Sequence, residues 1–157
     1  MPDRPRLPLG DYYQLLFRQG LLQDSAPLAA DLTRPISLVS CDSKLVIPGT
    51  LFICKGVKFR EAYLRSAMEL GAFVYVSETP YPAVPLPCIR VKDIRRAMGL
   101  MADLSYGHPS GRLRITGITG TKGKTTTAYY IKSILDCFLA AEQKRPSALL
   151  STIVTDD

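Results

Sequence analysis

The stretch Ile115-Thr116-Gly117-Ile118-Thr119-Gly120-Thr121-Lys122-Gly123-Lys124-Thr125-Thr126-Thr127 decides how this chain is read. Apolar and β-branched residues lead into it from Leu113, and a helical pattern leaves it, so its glycines stand between an expected strand and an expected helix. Phosphate oxygens need backbone amides that approach closely, and Gly120 and Gly123 lack the Cβ that would hold them off. The helix N-terminus behind them adds unpaired N–H groups and partial positive charge. Lys124 is placed to reach β- and γ-phosphates, the Thr125 hydroxyl suits Mg²⁺, and Thr126 offers a further donor. ATP with Mg²⁺ is the expected ligand. The strict pattern G-x-x-x-x-G-K-[ST] asks for glycine where Ile118 stands, and the glycine is displaced to Gly117. A glycine-rich turn that binds nothing is the plain alternative. The loop does not name a reaction, because kinases, GTPases, transporters and ligases all use it.

Downstream, a helix is expected from about Lys124 to Leu139 and a strand over Ala148 to Val154. One βαβ unit is all that fits there, and it cannot cover both faces of a parallel sheet, so the chain reads as truncated. Upstream, Gly107 to Gly111 with Pro109 form a polar break, which divides the chain into domains at 1–108 and 109–157. The first domain opens with an amphipathic helix, Asp11 to Leu22. Strand-like runs at Ile36 to Ser43 and Thr50 to Cys54 are separated by a Pro48-Gly49 turn. A helix from Phe59 to Leu70 closes at Gly71 before the strand Phe73 to Ser77. Four prolines make Thr79 to Pro87 irregular, Cys88 to Val91 is a short strand, and Asp93 caps a helix to about Tyr106. The order of elements predicts an α/β fold in both parts.

Composition excludes several classes. Hydrophobic residues at 46% and charged residues at 22% fit a folded domain. No apolar run is long enough for a membrane span, and the N-terminus has no apolar signal core, so a cytoplasmic location without membrane attachment is expected. Cys41, Cys54, Cys88 and Cys137 never form a C-x-x-C pair, and three sit in strand-like runs; buried free thiols in a reducing compartment are expected. The net charge of +6 is dispersed among acidic residues, which argues against nucleic acid and suits phosphorylated, carboxylate-bearing small molecules.

Gly117 to Thr127 resembles the ATP loop of the Mur ligases, G-x-x-G-T-x-G-K-T-T, which accommodates Ile118. Ser40-Cys41-Asp42-Ser43-Lys44 with Pro48-Gly49-Thr50-Leu51-Phe52-Ile53 resembles the D-S-R...P-G-x-L-F segment of the same family. Ala67 to Glu78 and Tyr106-Gly107-His108-Pro109-Ser110 also match, nearest to the tripeptide-synthetase branch. The resemblance implies a small N-terminal α/β domain that binds a UDP-sugar, followed by the start of the central P-loop domain. It implies an ATP-dependent ligase of peptidoglycan precursor synthesis, which adds an amino acid to UDP-N-acetylmuramoyl-L-alanyl-D-glutamate through an acyl phosphate. By motif, Ser43 would hydrogen-bond the UDP-sugar, and Gly120, Thr121, Lys122, Gly123, Lys124, Thr125 and Thr126 would hold ATP, with Thr125 on the metal.

Lys44 stands where the family usually has Arg and lacks its planar fork. Lys58 and Arg60 replace a usual D-G-H type sequence and are candidates for the diphosphate. The family's other catalytic groups would lie beyond Asp157, so no catalytic residue is assigned within this chain, and the fragment is expected to be inactive. The amino acid that is added and the oligomeric state stay open.

Plainer readings stand beside these. Ser43 can be a turn residue at a strand end, and His108 a loop histidine at a domain junction. Asp156 and Asp157 after an apolar strand imitate a Walker B carboxylate, and the tyrosine pairs 12–13 and 129–130 are assigned to packing and solvent. Two other functions remain open: a non-catalytic nucleotide-binding module, and a small P-loop phosphotransferase.

Overall fold

A computed structural model of the chain describes residues 6–23, 28–56, 59–151 and 155–156. Its contacts divide into two compact units, 1–113 and 114–157, where the sequence places the junction at 108/109. Each unit is described by itself.

The first unit is a three-layer α/β sandwich. Helix α1 (Leu9–Arg18) is followed by β1 (Leu38–Ser40), a 3₁₀ turn at Ser43–Leu45, β2 (Thr50–Ile53), α2 (Glu61–Glu69), β3 (Ala72–Ser77), β4 (Cys88–Arg90) and α3 (Ile94–Ser105). The strands form one sheet in the order β1-β2-β3-β4, each pair parallel. A parallel sheet is covered on both faces, so its inner strands carry apolar residues without alternation. Strand β2 follows this rule, all four of its residues being buried. Its side chains still divide by face: Leu51 and Ile53 join the core under α1 and α3, while Phe52 and the following Cys54 join the core under α2. Val74 and Val76 against Tyr75 repeat this in β3.

The helices supply the matching stripes. Leu9, Tyr12 and Leu16 of α1 are at most 1% exposed, a three-then-four spacing that puts them on one face. Ile94, Ala97 and Met101 do the same for α3, and Leu64 and Ala67 for α2. Complete burial of a side chain such as Leu16 contributes about 1.5–3 kcal/mol. Asp93 caps α3 as expected, its carboxylate accepting the Arg96 amide at 2.9 Å. A second carboxylate that the sequence does not announce, Glu78 at the end of β3, accepts the Ile94 amide at 2.8 Å.

The second unit contains α4 (Lys124–Ala141) and a short antiparallel pair, β5 (Leu149–Leu150) with β6 (Thr155–Asp156). The expected strand over 113–119 is not formed. Residues 114–120 carry no regular secondary structure, and Leu113 and Ile115 are 62% and 73% exposed. A strand is held by a neighbouring strand, and no described segment of this unit pairs with residues 114–120. The expected strand over 148–154 shortens to Leu149–Leu150, and residues 152–154 lie outside the described residues. Asp156 is opposite Leu149 in an antiparallel pair, not at the end of a parallel strand as a Walker B residue would be.

Two further expectations are corrected. Cys41 and Cys137 are exposed, and only Cys54 is buried, with Cys88 half-buried; Cys41 lies past the end of β1, and Cys137 occupies an uncovered face of α4. Tyr129 and Tyr130 are both exposed, for the same reason: among the described residues, nothing packs deeply enough on α4 to bury either. Among the described residues, no helix is long and apolar enough to cross a membrane.

Candidate functional site

In the second unit the glycine loop takes the backbone form that its sequence demands. Gly120 has φ +150° and Gly123 has φ +75°, values that L side chains resist. Gly123 is the N-cap of α4, with no side-chain cap. The first helical hydrogen bond runs from the Thr127 amide to the Gly123 carbonyl at 2.9 Å. The amides of Lys124, Thr125 and Thr126 therefore precede any helical acceptor and keep their donor capacity. The Lys124 ammonium folds across the loop and donates to the Gly120 carbonyl at 2.6 Å. Gly120, Thr121, Lys122, Lys124 and Thr126 are exposed, and Thr125 is half-buried. Left-handed glycines, open helical amides and an adjacent ammonium suit a phosphate group, and the Thr125 hydroxyl in the first turn suits a phosphate-bound divalent cation.

Behind the loop, α4 is tied to the segment that follows it. The Asp136 carboxylate accepts the Ser147 amide at 2.6 Å and its hydroxyl at 2.7 Å, and pairs with Lys132 at 2.9 Å. Lys132 also donates to the Ser147 carbonyl at 2.6 Å. The Ser147 hydrogen bond, then Lys132, hold the Asp136 carboxyl down at a pKa of about 2.

In the first unit a cleft of about 430 Å³ opens beside the 3₁₀ turn. One wall is Cys41, Asp42, Ser43 and Lys44, and the other is Lys55, Gly56, Phe59 and Tyr63. Local hydrogen bonds set the first wall. The Ser40 hydroxyl accepts the Asp42 amide at 3.0 Å, and the Asp42 carboxylate accepts the Lys44 amide at 2.9 Å, capping the turn. This cap spends Asp42 on structure and leaves the Ser43 hydroxyl, half-buried in the cleft, without a hydrogen-bond partner among the described residues. The second wall is aromatic: Phe59 meets Tyr63 edge to face with centroids 6.0 Å apart, and is backed by Phe52 and Tyr81 at 6.3 and 5.6 Å.

The structure thus brings Ser43 to a cavity in the first unit, and Gly120 to Thr126 belong to the second unit. Arg60 is exposed at the N-cap of α2 and does not line the cleft; Lys58 lies outside the described residues. No sequence motif marks Lys55, Phe59 or Tyr63. Their signal is faint, since an aromatic pair spaced by four at a helix start reads first as packing.

His108 is a loop histidine with a carboxylate partner. Its Nδ1 lies 2.7 Å from Asp103 Oδ2, and the Ser110 hydroxyl donates to Asp103 Oδ1 at 2.6 Å. Ser110 and then His108 lower the Asp103 pKa. The serine faces the carboxylate and not the imidazole, so this cluster has the bonding of a turn and not of a nucleophile with its base. Among the described residues no group of three His, Cys, Asp or Glu side chains could hold a metal ion.

The chain is similar to known proteins in sequence and in fold. No protein-family model matches the chain. UDP-N-acetylmuramoyl-L-alanyl-D-glutamate--L-lysine ligase of Enterococcus faecalis is 46% identical over 120 residues, which are 76% of this chain and 23% of that enzyme. UDP-N-acetylmuramyl-tripeptide synthetase of Limosilactobacillus reuteri is 48% identical over 121 residues, again 76% of this chain and 23% of the enzyme. Among solved structures, UDP-N-acetylmuramoyl-L-alanyl-D-glutamate--2,6-diaminopimelate ligase shares the fold, with a TM-score of 0.63 and 21% identity over 96% of this chain and 28% of the other. The chain spans about a quarter of the length of the curated relatives that it matches. In sequence and in fold it is therefore related to the Mur ligases, the ligases of UDP-N-acetylmuramoyl peptides.

Proposed function

We propose that this chain is the substrate-holding part of an ATP-dependent, amide-forming Mur ligase of the tripeptide-synthetase (MurE) type, acting in peptidoglycan precursor synthesis in the cytoplasm. The observation that carries the reading is the loop at Gly120 to Thr127, where two glycines of positive φ lead into a helix whose first amides are uncapped. In this reading the amides of Lys124 to Thr126 and the Lys124 ammonium bind the β- and γ-phosphates, and Thr125 holds the accompanying Mg²⁺. ATP would supply the phosphoryl group that activates the glutamate carboxylate of UDP-N-acetylmuramoyl-L-alanyl-D-glutamate as an acyl phosphate, with ADP leaving, and the incoming amino acid's amine would then displace inorganic phosphate to form the amide. Ser43 offers its unpartnered hydroxyl to the UDP-sugar in the cleft of the first unit. The chain's own residues bind and orient substrates; none is assigned a proton-transfer or nucleophilic role, and the chain alone is expected to bind without turnover.

Calorimetry tests the reading in two arms. ATP with Mg²⁺ should bind the full chain, and Lys124→Ala should weaken it by about tenfold or more, the loss expected when a charged hydrogen bond to phosphate is removed. Unchanged ATP affinity in Lys124→Ala removes the lysine from the phosphate site. UDP-N-acetylmuramoyl-L-alanyl-D-glutamate should bind as well, and a folded sample that does not bind it contradicts the substrate assignment.

A further inference from the structure

The cleft beside Ser43 contains more recognition chemistry than one hydroxyl. Lys44 and Lys55 stand on its opposite walls, both exposed, and among the described residues neither ammonium has a hydrogen-bond or ion-pair partner. The carboxylate in the cleft, Asp42, already caps the 3₁₀ turn through the Lys44 amide. Two unpaired cations around an engaged carboxylate make an attractive field for a polyanion. On the Lys55 side, Tyr63 is 45% exposed although it meets Phe59 edge to face. Phe59 is itself braced by Phe52 and Tyr81, so this wall presents a supported aromatic surface, and Tyr63 loses little rotamer freedom on contact with a flat ligand.

We infer that Lys55 and Tyr63 are specificity-determining residues of this cleft, Lys55 with Lys44 clamping the diphosphate of a nucleoside diphosphate and Tyr63 packing on its base. The inference rests on the proposal that the cleft is the uridine-nucleotide site and adds to it two residues that the sequence motifs do not mark. Lys55 directly follows Cys54, which is buried and whose amide donates to the Val76 carbonyl at 2.9 Å. The lysine therefore projects from the anchored end of β2, and its reach into the cleft is set by the sheet. A point charge on a flexible stem suits two phosphates of one ligand without demanding planar geometry.

The experiment uses the full chain with UDP, UMP and inorganic pyrophosphate as probes, measured by calorimetry at several salt concentrations. Lys55→Met should weaken UDP about tenfold and UMP distinctly less, and should flatten the salt dependence of UDP binding, because one screened charge contact is gone. Tyr63→Leu should weaken UDP about tenfold, the size of one base-stacking contact, and leave pyrophosphate unchanged. Both side chains are exposed, and an unaltered melting temperature establishes that each variant is folded. If the wild type binds UDP and both variants match it within about twofold at every salt concentration, the inference is wrong while the uridine-nucleotide reading stands. If the wild type binds UDP-N-acetylmuramoyl-L-alanyl-D-glutamate but not UDP, the affinity comes from the sugar-peptide end and the inference is again overturned. Failure to bind either ligand removes the reading and the inference together.

Discussion

Replacing Gly71 with alanine should be among the most damaging single-methyl changes in the first unit. Gly71 joins α2 to β3 with φ +102°, and a Cβ built there would lie 2.8 Å from Pro48 Cα and 3.2 Å from Pro48 N. Both are backbone atoms held in the proline ring, so no side-chain rotation relieves the contact. The two turns are also joined directly, since the Gly49 amide donates to the Gly71 carbonyl at 3.0 Å. Backbone strain at positive φ costs about 1–2 kcal/mol and overpacking about 1–3 kcal/mol, which together make about 2–5 kcal/mol. For a unit of this size that corresponds to a melting temperature lower by about 10–20 °C. Gly20→Ala is the control. Gly20 also has positive φ, +65°, but a Cβ there meets nothing within 4 Å, so only the strain of about 1 kcal/mol remains. Thermal unfolding followed by circular dichroism compares the two. If Gly71→Ala melts no lower than Gly20→Ala, the approach of Pro48 does not constrain the sheet, and the reasoning fails.

Two further outcomes follow from the same geometry. The Asp136 pKa of about 2 lies below its ordinary 3.8, so the stability that its bonds supply is complete above pH 4 and is lost as pH falls from about 4 through 2; amide exchange at Ser147 should accelerate across that window, and a rate with only the intrinsic pH dependence would contradict the clip. Thiol labelling at pH 8 should proceed quickly at exposed Cys41 and Cys137, whereas Cys54, buried and pushed up to about 12 by desolvation, should react only after unfolding; mass spectrometry of the labelled peptides decides it.

The first unit was legible because each of its local signals agreed with its neighbours. Helices α1, α2 and α3 follow apolar spacing that sequence displays directly, and Asp93 and Gly71 mark their boundaries with side-chain and backbone chemistry. Sequence pattern misleads where strand pairing decides the outcome. Leu113 to Thr119 has β-branched composition, but composition cannot provide the neighbouring strand that satisfies its amides. Cys41 was misplaced for a related reason: the strand-like run from Ile36 to Ser43 contains only three paired residues, Leu38 to Ser40, and Cys41 falls just past them into the cleft wall.

The candidate site divides in the same way. A glycine-rich loop is written in consecutive residues, so Gly120, Gly123 and Lys124 can be proposed for phosphate binding from the amino-acid order alone; both glycines have positive φ. A cleft is assembled from separate segments. Ser43 was reachable through its motif, yet Lys55 and Tyr63 meet it only because β1 and β2 are adjacent parallel strands, which places the segment after Ser40 beside the segment after Ile53. Parallel neighbours end at the same edge of a sheet, so loops that are distant in sequence converge there. Which residues line that edge is therefore specified by strand order, and without that order Lys55 is one dispersed charge among twenty Lys and Arg residues.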